Sequence, residues 1–448
     1  MRELCELTAA RIAALVRARE LSRREVVEAH AARISARNGE LGALADLRIE
    51  AALAEAGDAD AGARPTGGPL DGVPLSIKQN YDVEGMATTL GIPSRATLVA
   101  ERDEEGVRRL REAGAIVLGK GNMPDVAIRW NTLSSLHGPT RNPRDPSLSV
   151  GGSTGGDAAA VAAGMVATGL GSDYGGSLRV PATWCGVLAF RPSTGLVARA
   201  PVLPPQDFPP SYDLMASSGT VARSAEDLEL AFEVLRGSST QDPASVPVEP
   251  AAVPARPGPV ALLIGETGAV VDEEVELAVR ATADELRDRG YRVDEGVVPD
   301  LRSAPELFAA IVGTELIQHR LRPLKGQISA SALHHIETLY GQFELGPRVE
   351  RYLAALNKRR ALARAVAAWM EHYPLVLAPV AGMTAPPLDY DELIGPEATR
   401  ALFDRMRAVL WVNLLGLPAV ALGNGAQIVG RRFHDRAVLR AAGDATSR

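Results

Sequence analysis

An α/β fold, with helices on both faces of a β-sheet, is predicted by three observations on this chain. Short apolar runs that read as buried strands alternate with amphipathic helical segments. Glycines stop those helices just before the next run. No repeat of fixed period replaces this alternation.

Taken in order, the first elements are helices. Ile12, Leu15 and Val16 recur at helical spacing within residues 9–19. Leu21-Ser22 offers a cap before a second helix at 23–36, with Val26, Val27, His30 and Ile34 on one face. A third helix is predicted at 48–61. The turn-rich stretch Gly67-Gly68-Pro69-Leu70-Asp71-Gly72 then leads into a short apolar run at 73–77, a buried strand ending at Lys78. A helix at 101–112, stopped by Gly114, precedes a strand at 115–118. The same unit recurs later as a strand at 260–264, a helix at 272–289, the stop Gly290 and a strand at 291–298. Residues 302–360 are largely helical in pattern and carry no readable motif. The Pro-, Ala- and Val-rich stretch 242–259 reads equally as a linker or as a long surface loop.

At 448 residues the chain exceeds the usual length of one domain. Aromatic residues make up only 4%, so the core must be built from Ala, Val and Leu. The net charge of -7 is spread over interspersed acidic and basic residues. It leaves no basic stripe for nucleic acid. Two cysteines, Cys5 and Cys185, make no disulfide framework, and no Cys/His cluster has metal-ligand spacing. Met1-Arg2-Glu3-Leu4 opens without the continuous apolar run of a secretory signal. The longest apolar stretch, 158–170, is too short to cross a bilayer and is broken by Gly164 and Gly169. A cytoplasmic protein with no membrane partner is the expectation.

The chemistry concentrates in two glycine-rich segments. One is Val150-Gly151-Gly152-Ser153-Thr154-Gly155-Gly156-Asp157. The other is Gly171-Ser172-Asp173-Tyr174-Gly175-Gly176-Ser177-Leu178-Arg179. Glycine lets backbone N–H groups converge on one oxygen, which suits a phosphate cradle or an oxyanion hole, and such turns also serve packing alone. Neither segment has P-loop or dinucleotide spacing. Each presents a serine, and a serine needs a base. The one histidine near these segments, His137 in Ser135-Leu136-His137-Gly138-Pro139, reads as a turn residue. A lysine serves as a base if burial lowers its pKa from about 10.4. Lys78, at the end of an apolar run, fits that role, and a solvated or ion-paired Lys78 is the plainer reading.

These residues resemble the amidase signature family of serine hydrolases. The likeness is carried by Gly68 to Pro74 and Lys78, Thr88-Thr89, Gly119-Lys120-Gly121-Asn122-Met123-Pro124 and Gly138 to Pro143. It is most specific from Gly151 through Pro181 to Cys185-Gly186, and weaker at Ala378-Pro379, at 416–420 and at 427–430. The resemblance implies one large domain spanning 1–448 around a mixed, twisted sheet. The signature core would lie at about 65–230, with a variable pocket region at about 300–370. It implies amide hydrolysis through an acyl-enzyme without metal or cofactor. Ser177 would be the nucleophile, Ser153, after a cis peptide bond from Gly152, the proton relay, and Lys78 the base. The N–H groups of Tyr174, Gly175, Gly176 and Ser177 would form the oxyanion hole. Thr154, Asp173 and Arg179 would support the site, the last two as a brace or as a surface ion pair. Residues 122–131, 200–215 and 300–350 would shape the acyl pocket around a small-molecule amide, in a lone chain or a homodimer.

Several positions depart from the family pattern. Gln79 replaces an Asp after the lysine, which should remove a negative charge beside Lys78. Thr154 replaces a serine, Tyr174 is bulkier than usual, Phe190-Arg191-Pro192-Ser193 replaces a more usual Leu-Lys-Pro-Thr, and the loop between Leu422 and Gln427 is short. Three other readings share these residues: a glutaminase-type subunit of a tRNA-dependent amidotransferase, an esterase, and a non-catalytic small-molecule binder.

Overall fold

Lys78 closes a buried strand, and that strand lies inside a mixed sheet of eleven. The computed structural model describes residues 2–63, 66–204, 208–295 and 298–446. Among them run β1 (Leu44–Leu47), β2 (Pro74–Lys78), β3 (Ile116–Gly121), the small hairpin β4 (Leu133–Ser134) and β5 (Gly138–Pro139), β6 (Thr168–Asp173), β7 (Leu188–Arg191), β8 (Ser217–Ala222), β9 (Val260–Leu262), β10 (Val293–Glu295), β11 (Leu375–Pro379), β12 (Ala419–Ala421) and β13 (Ala426–Gly430). The sheet order is β1-β3-β2-β6-β8-β7-β12-β13-β11-β9-β10. β2 pairs in parallel with both β3 and β6, as β9 does with β10 and β11. The strands between are antiparallel, as is the edge strand β1.

Helices cover both faces. Alternation along β2 assigns each side: Leu75 and Ile77 join a core with Ile12, Val107, Phe232, Val279 and Leu439. Ser76 and Lys78 face the other way, toward the side built from Val27, Ala158, Val161, Trp184, Phe308 and Trp411.

The predicted helices are present with shifted ends. The second continues to Leu41, where Gly42 caps it in the left-handed region at φ 58. The helix predicted at 101–112 begins only at Glu105, with Glu104 as its cap. The strand predicted at 291–298 is Val293–Glu295; Gly296 and Val297 lie outside the described residues. Residues 242–259 lead to β9 of the same sheet. β6 was not predicted, because Gly169 and Gly171 weaken any strand signal. Its glycines are required by contact. A Cβ at Gly171 would meet Thr154 Cγ2 at 2.3 Å, and one at Gly169 would meet Asp157 Cβ at 3.0 Å.

Candidate active site

Parallel β2 and β6 end side by side, and a crevice at the carboxyl ends of parallel strands is where α/β sheets place ligands. Lys78 is the last residue of β2. Beyond β6 the chain turns through Tyr174–Leu178 into the helix Arg179–Cys185, and Ser177 sits on that turn. Ser153 precedes the helix Gly155–Ala162 and follows a cis peptide bond from Gly152. Gly151 adopts φ 78, and its missing Cβ leaves room for Pro181 and the Trp184 ring. The loop holding Ser153 is tied to the one holding Ser177 by Thr154 N–H donating to Ser177 O at 3.0 Å.

Lys78 is fully buried. Its Nζ lies 2.8 Å from Ser153 Oγ, 3.0 Å from Thr154 Oγ1 and 3.3 Å from Ser172 Oγ. No carboxylate stands within 4.0 Å of it among the described residues. Burial pulls its pKa well below the ordinary lysine range. A neutral amine has two N–H donors and one lone pair, so three hydroxyls satisfy it completely when one of them donates.

The charge expected to disappear with Gln79 is supplied from elsewhere. Gln79 Oε1 accepts from Thr89 Oγ1 at 3.0 Å. Asp157, on the helix Gly155–Ala162, brings a buried carboxyl whose charge acts on Lys78 against the burial effect. Asp157 Oδ1 accepts from Ser76 Oγ at 2.7 Å, while Oδ2 has no hydrogen-bond partner among the described residues. Burial raises the Asp157 pKa, and the Lys78 charge opposes that. Desolvation thus favours the neutral form of both groups.

The second loop is braced from below. Asp173 and Arg179 are wholly buried and joined at 2.9 Å, so they are not a surface pair. Arg179 also donates to Asn413 Oδ1 at 2.6 Å and to Gln427 Oε1 at 2.8 Å. Asn413 Nδ2 returns a bond to Asp173 Oδ1 at 2.8 Å. Asp173 Oδ1 further accepts the Gly176 N–H at 2.9 Å. This corrects one expectation: the Gly176 N–H is spent inside the loop and does not point at the cavity as an oxyanion donor. The N–H groups of Gly175 and Ser177 have no partner among the described residues.

Ser153, Ser172 and Ser177 open onto a cavity of about 580 Å³. Besides the segment 80–95, its walls come from the three segments expected to shape an acyl pocket. Met123, Val126 and Trp130 come from the first, Leu203, Phe208 and Tyr212 from the second, and Phe308, Val312, Leu316 and Tyr340 from the third. Residues 205–207 of the second lie outside the described residues. Leu90, Val126 and Ala127 hold positive φ (50, 49 and 64), a strained conformation for Val126 above all, and all three face this cavity. The Tyr174 ring packs edge-on against Phe308 at 5.9 Å. Its hydroxyl meets Ser211, which with Tyr352 donates to the buried Glu315. His137 occupies the turn of the β4–β5 hairpin and does not line the cavity.

Sequence reasoning passed over Ser172, Asp157, Glu315, Arg95 and Arg199. Only Asp157, an acid opening a run of small apolar residues, carried a local signal. The others become neighbours of the site through the fold alone.

A model of the family described as Amidase matches residues 25–439. The chain belongs to the amidase signature family. Among its relatives is the indoleacetamide hydrolase of Bradyrhizobium diazoefficiens, 34% identical over 443 residues, covering 96% of this chain and 84% of that one. A glutamyl-tRNA(Gln) amidotransferase subunit from Moorella thermoacetica is 33% identical, covering 98% and 96%. A 6-aminohexanoate cyclic dimer hydrolase complexed with substrate superposes with a TM-score of 0.85 at 25% identity, over 99% of this chain and 96% of that one. As an amidase signature protein the chain is a hydrolase of amide C–N bonds, and its mixed sheet flanked by helices is the architecture of these relatives.

Proposed function

We propose that this chain hydrolyses the carboxamide of a small molecule through an acyl-enzyme on Ser177. The observation that carries the reading is the buried Lys78 amine encircled by three hydroxyls, with Ser153 the nearest. Ser153 donates to the lone pair of neutral Lys78. As Ser177 attacks the carbonyl carbon, its proton passes to Ser153 Oγ while the Ser153 proton passes to Lys78. The carbonyl oxygen gains charge and is met by the N–H groups of Gly175 and Ser177. Lys78 then returns the proton through Ser153 to the leaving nitrogen. Water deacylates Ser177 by the same relay.

The cavity supports an amide with a sizeable apolar part, given Trp130, Phe308, Val312, Leu316 and Tyr340 on its walls. The similarity to an indoleacetamide hydrolase agrees with that. A glutaminase role within an amidotransferase is the second reading, favoured by the amidotransferase relative. Such a chain would need its partner chains, and turnover of simple amides by the lone chain decides against it. Unpaired, buried Cys5 and Cys185 suit a reducing, cytoplasmic setting. No described helix is long and apolar enough to cross a membrane.

The test is intact-protein mass after exposure to a fluorophosphonate, with wild type beside Ser177→Ala. One adduct on wild type alone is expected. An adduct that persists in Ser177→Ala would refute the assignment of the nucleophile.

A further inference from the structure

One wall of the cavity contributes nothing to the catalytic residues but holds a cation with unspent donors. Arg95 ends the short turn Pro93–Arg95 and lines the cavity beside Leu90, Ile92 and Leu324. Its Nε donates to Thr88 O at 3.1 Å, which anchors the base of the fork. The two terminal nitrogens have no hydrogen bond, and no carboxylate reaches within 4.0 Å of them among the described residues. Asp82 is the one acid among the described residues whose field reaches Arg95. Its Oδ2 is held by the N–H groups of Val202 and Leu203, at 2.7 and 3.0 Å, while its Oδ1 has no hydrogen-bond partner among the described residues.

The other two guanidiniums lining this cavity show the contrast: Arg129 is paired with Asp391 at 2.5 Å and donates to Ser331 Oγ at 2.8 Å. Arg199 is held through both terminal nitrogens, though its Nε has no hydrogen bond among the described residues. It donates to the Tyr212 hydroxyl and to Asn80 O, stacks over the Tyr81 ring at 4.2 Å and lies 3.8 Å from Glu104. Arg95 has no such company. Burial, only partly offset by Asp82, disfavours its charge, so an anion placed there would restore what the fold removes.

We propose that Arg95 binds a carboxylate carried by the substrate, so that the preferred substrates are amides bearing a second, anionic group. The inference rests on the hydrolase reading above. A guanidinium with both terminal nitrogens open matches a carboxylate bidentately, and the apolar neighbours strengthen the pairing by excluding water. The fixed Nε aims the fork, so recognition carries direction as well as charge.

The test separates binding from turnover. Affinities of ω-carboxyalkanamides and of alkanamides of matched length are measured by calorimetry on Ser177→Ala protein. Arg95→Gln and Arg95→Lys are then added on that background. The carboxylates should bind about ten- to hundredfold tighter than their neutral counterparts, as bonds between charged groups do. Arg95→Gln should erase that preference without weakening the neutral amides, and Arg95→Lys should keep part of it. Equal binding of the two series, binding of neither, or an equal loss of both on Arg95→Gln would overturn the proposal. If the preference holds but the enzyme with Ser177 intact turns over neither series, the anion site stands and the hydrolase reading falls.

Discussion

Lys78 Nζ and Ser153 Oγ stand 2.8 Å apart in a pocket where the lysine is wholly buried. The lysine comes from the end of a strand and the serine from the start of a helix 75 residues later. Their contact is the proton path of the proposed reaction, and the experiments below follow from what surrounds it.

Replacing Lys78 with alanine removes the base but leaves both serine loops their own hydrogen bonds. The rate of amide turnover should fall by about 10²- to 10⁴-fold, the usual share of acid–base catalysis. Circular dichroism should be unchanged. Normal turnover by Lys78→Ala at neutral pH would show that another group takes the proton.

Activity should rise with pH as Lys78 loses its proton, and the rise should fall well below the ordinary lysine range because burial lowers this pKa. Asp157 opposes that lowering, since its negative charge holds the proton on the lysine. Asp157→Asn removes the charge, so the acid limb of the kcat profile should move to lower pH. An acid limb that stays in place or moves upward in the variant would contradict the coupling.

The Asp173–Arg179 pair is buried on both sides. Arg179→Met leaves a carboxylate without its main partner, which should cost about 3–5 kcal/mol in urea unfolding. Burial would raise the Asp173 pKa, but Arg179 holds it far below the usual carboxylate range. The sign follows: stability from this group is present above the unfolded pKa of about 3.9 and is lost as pH falls toward the folded one. Wild type should therefore lose stability in acid more steeply than Arg179→Met does.

Gly171 and Thr154 press against each other between β6 and the lysine. Gly171→Ala puts a Cβ 2.3 Å from Thr154 Cγ2, so the threonine must move and with it the Oγ1 that touches Lys78. A loss of about 1–3 kcal/mol is expected from overpacking, together with lower kcat. Thr154→Ser removes Cγ2, and in the double variant it should recover part of both. Additive losses would mean that the two side chains do not meet.

Much of the site is legible in the chain itself. The resemblance to the amidase signature family is what joined Lys78, Ser153 and Ser177 as a triad, but an apolar run ending in lysine and two glycine loops presenting serines are local patterns that draw the eye. The helices are legible for the same reason, since Val26, Val27 and Ile34 mark a face by spacing alone. β6 is not, because its glycines answer to Thr154 and Asp157 pressing from a neighbouring helix rather than to strand propensity. The Gly176 N–H was misplaced because nothing local shows that Asp173 would turn inward and capture it.

The sequence by itself determined the family, through several motifs in the right order, and that resemblance in turn named the reaction class and the three residues proposed for it. The glycine and apolar runs alone left a solvated Lys78 the plainer reading. The tertiary structure alone decided which charges reach the lysine. Asp157 replaced the acid that Gln79 displaced, and Asp173 was bound by Arg179 and Asn413, with Gln427 holding the arginine. It also decided the walls of the cavity, where Arg95 meets Leu324 across more than two hundred residues of chain. The reason is physical: the effect of a charge falls with distance in space and with burial, and neither quantity can be read from separation along the chain.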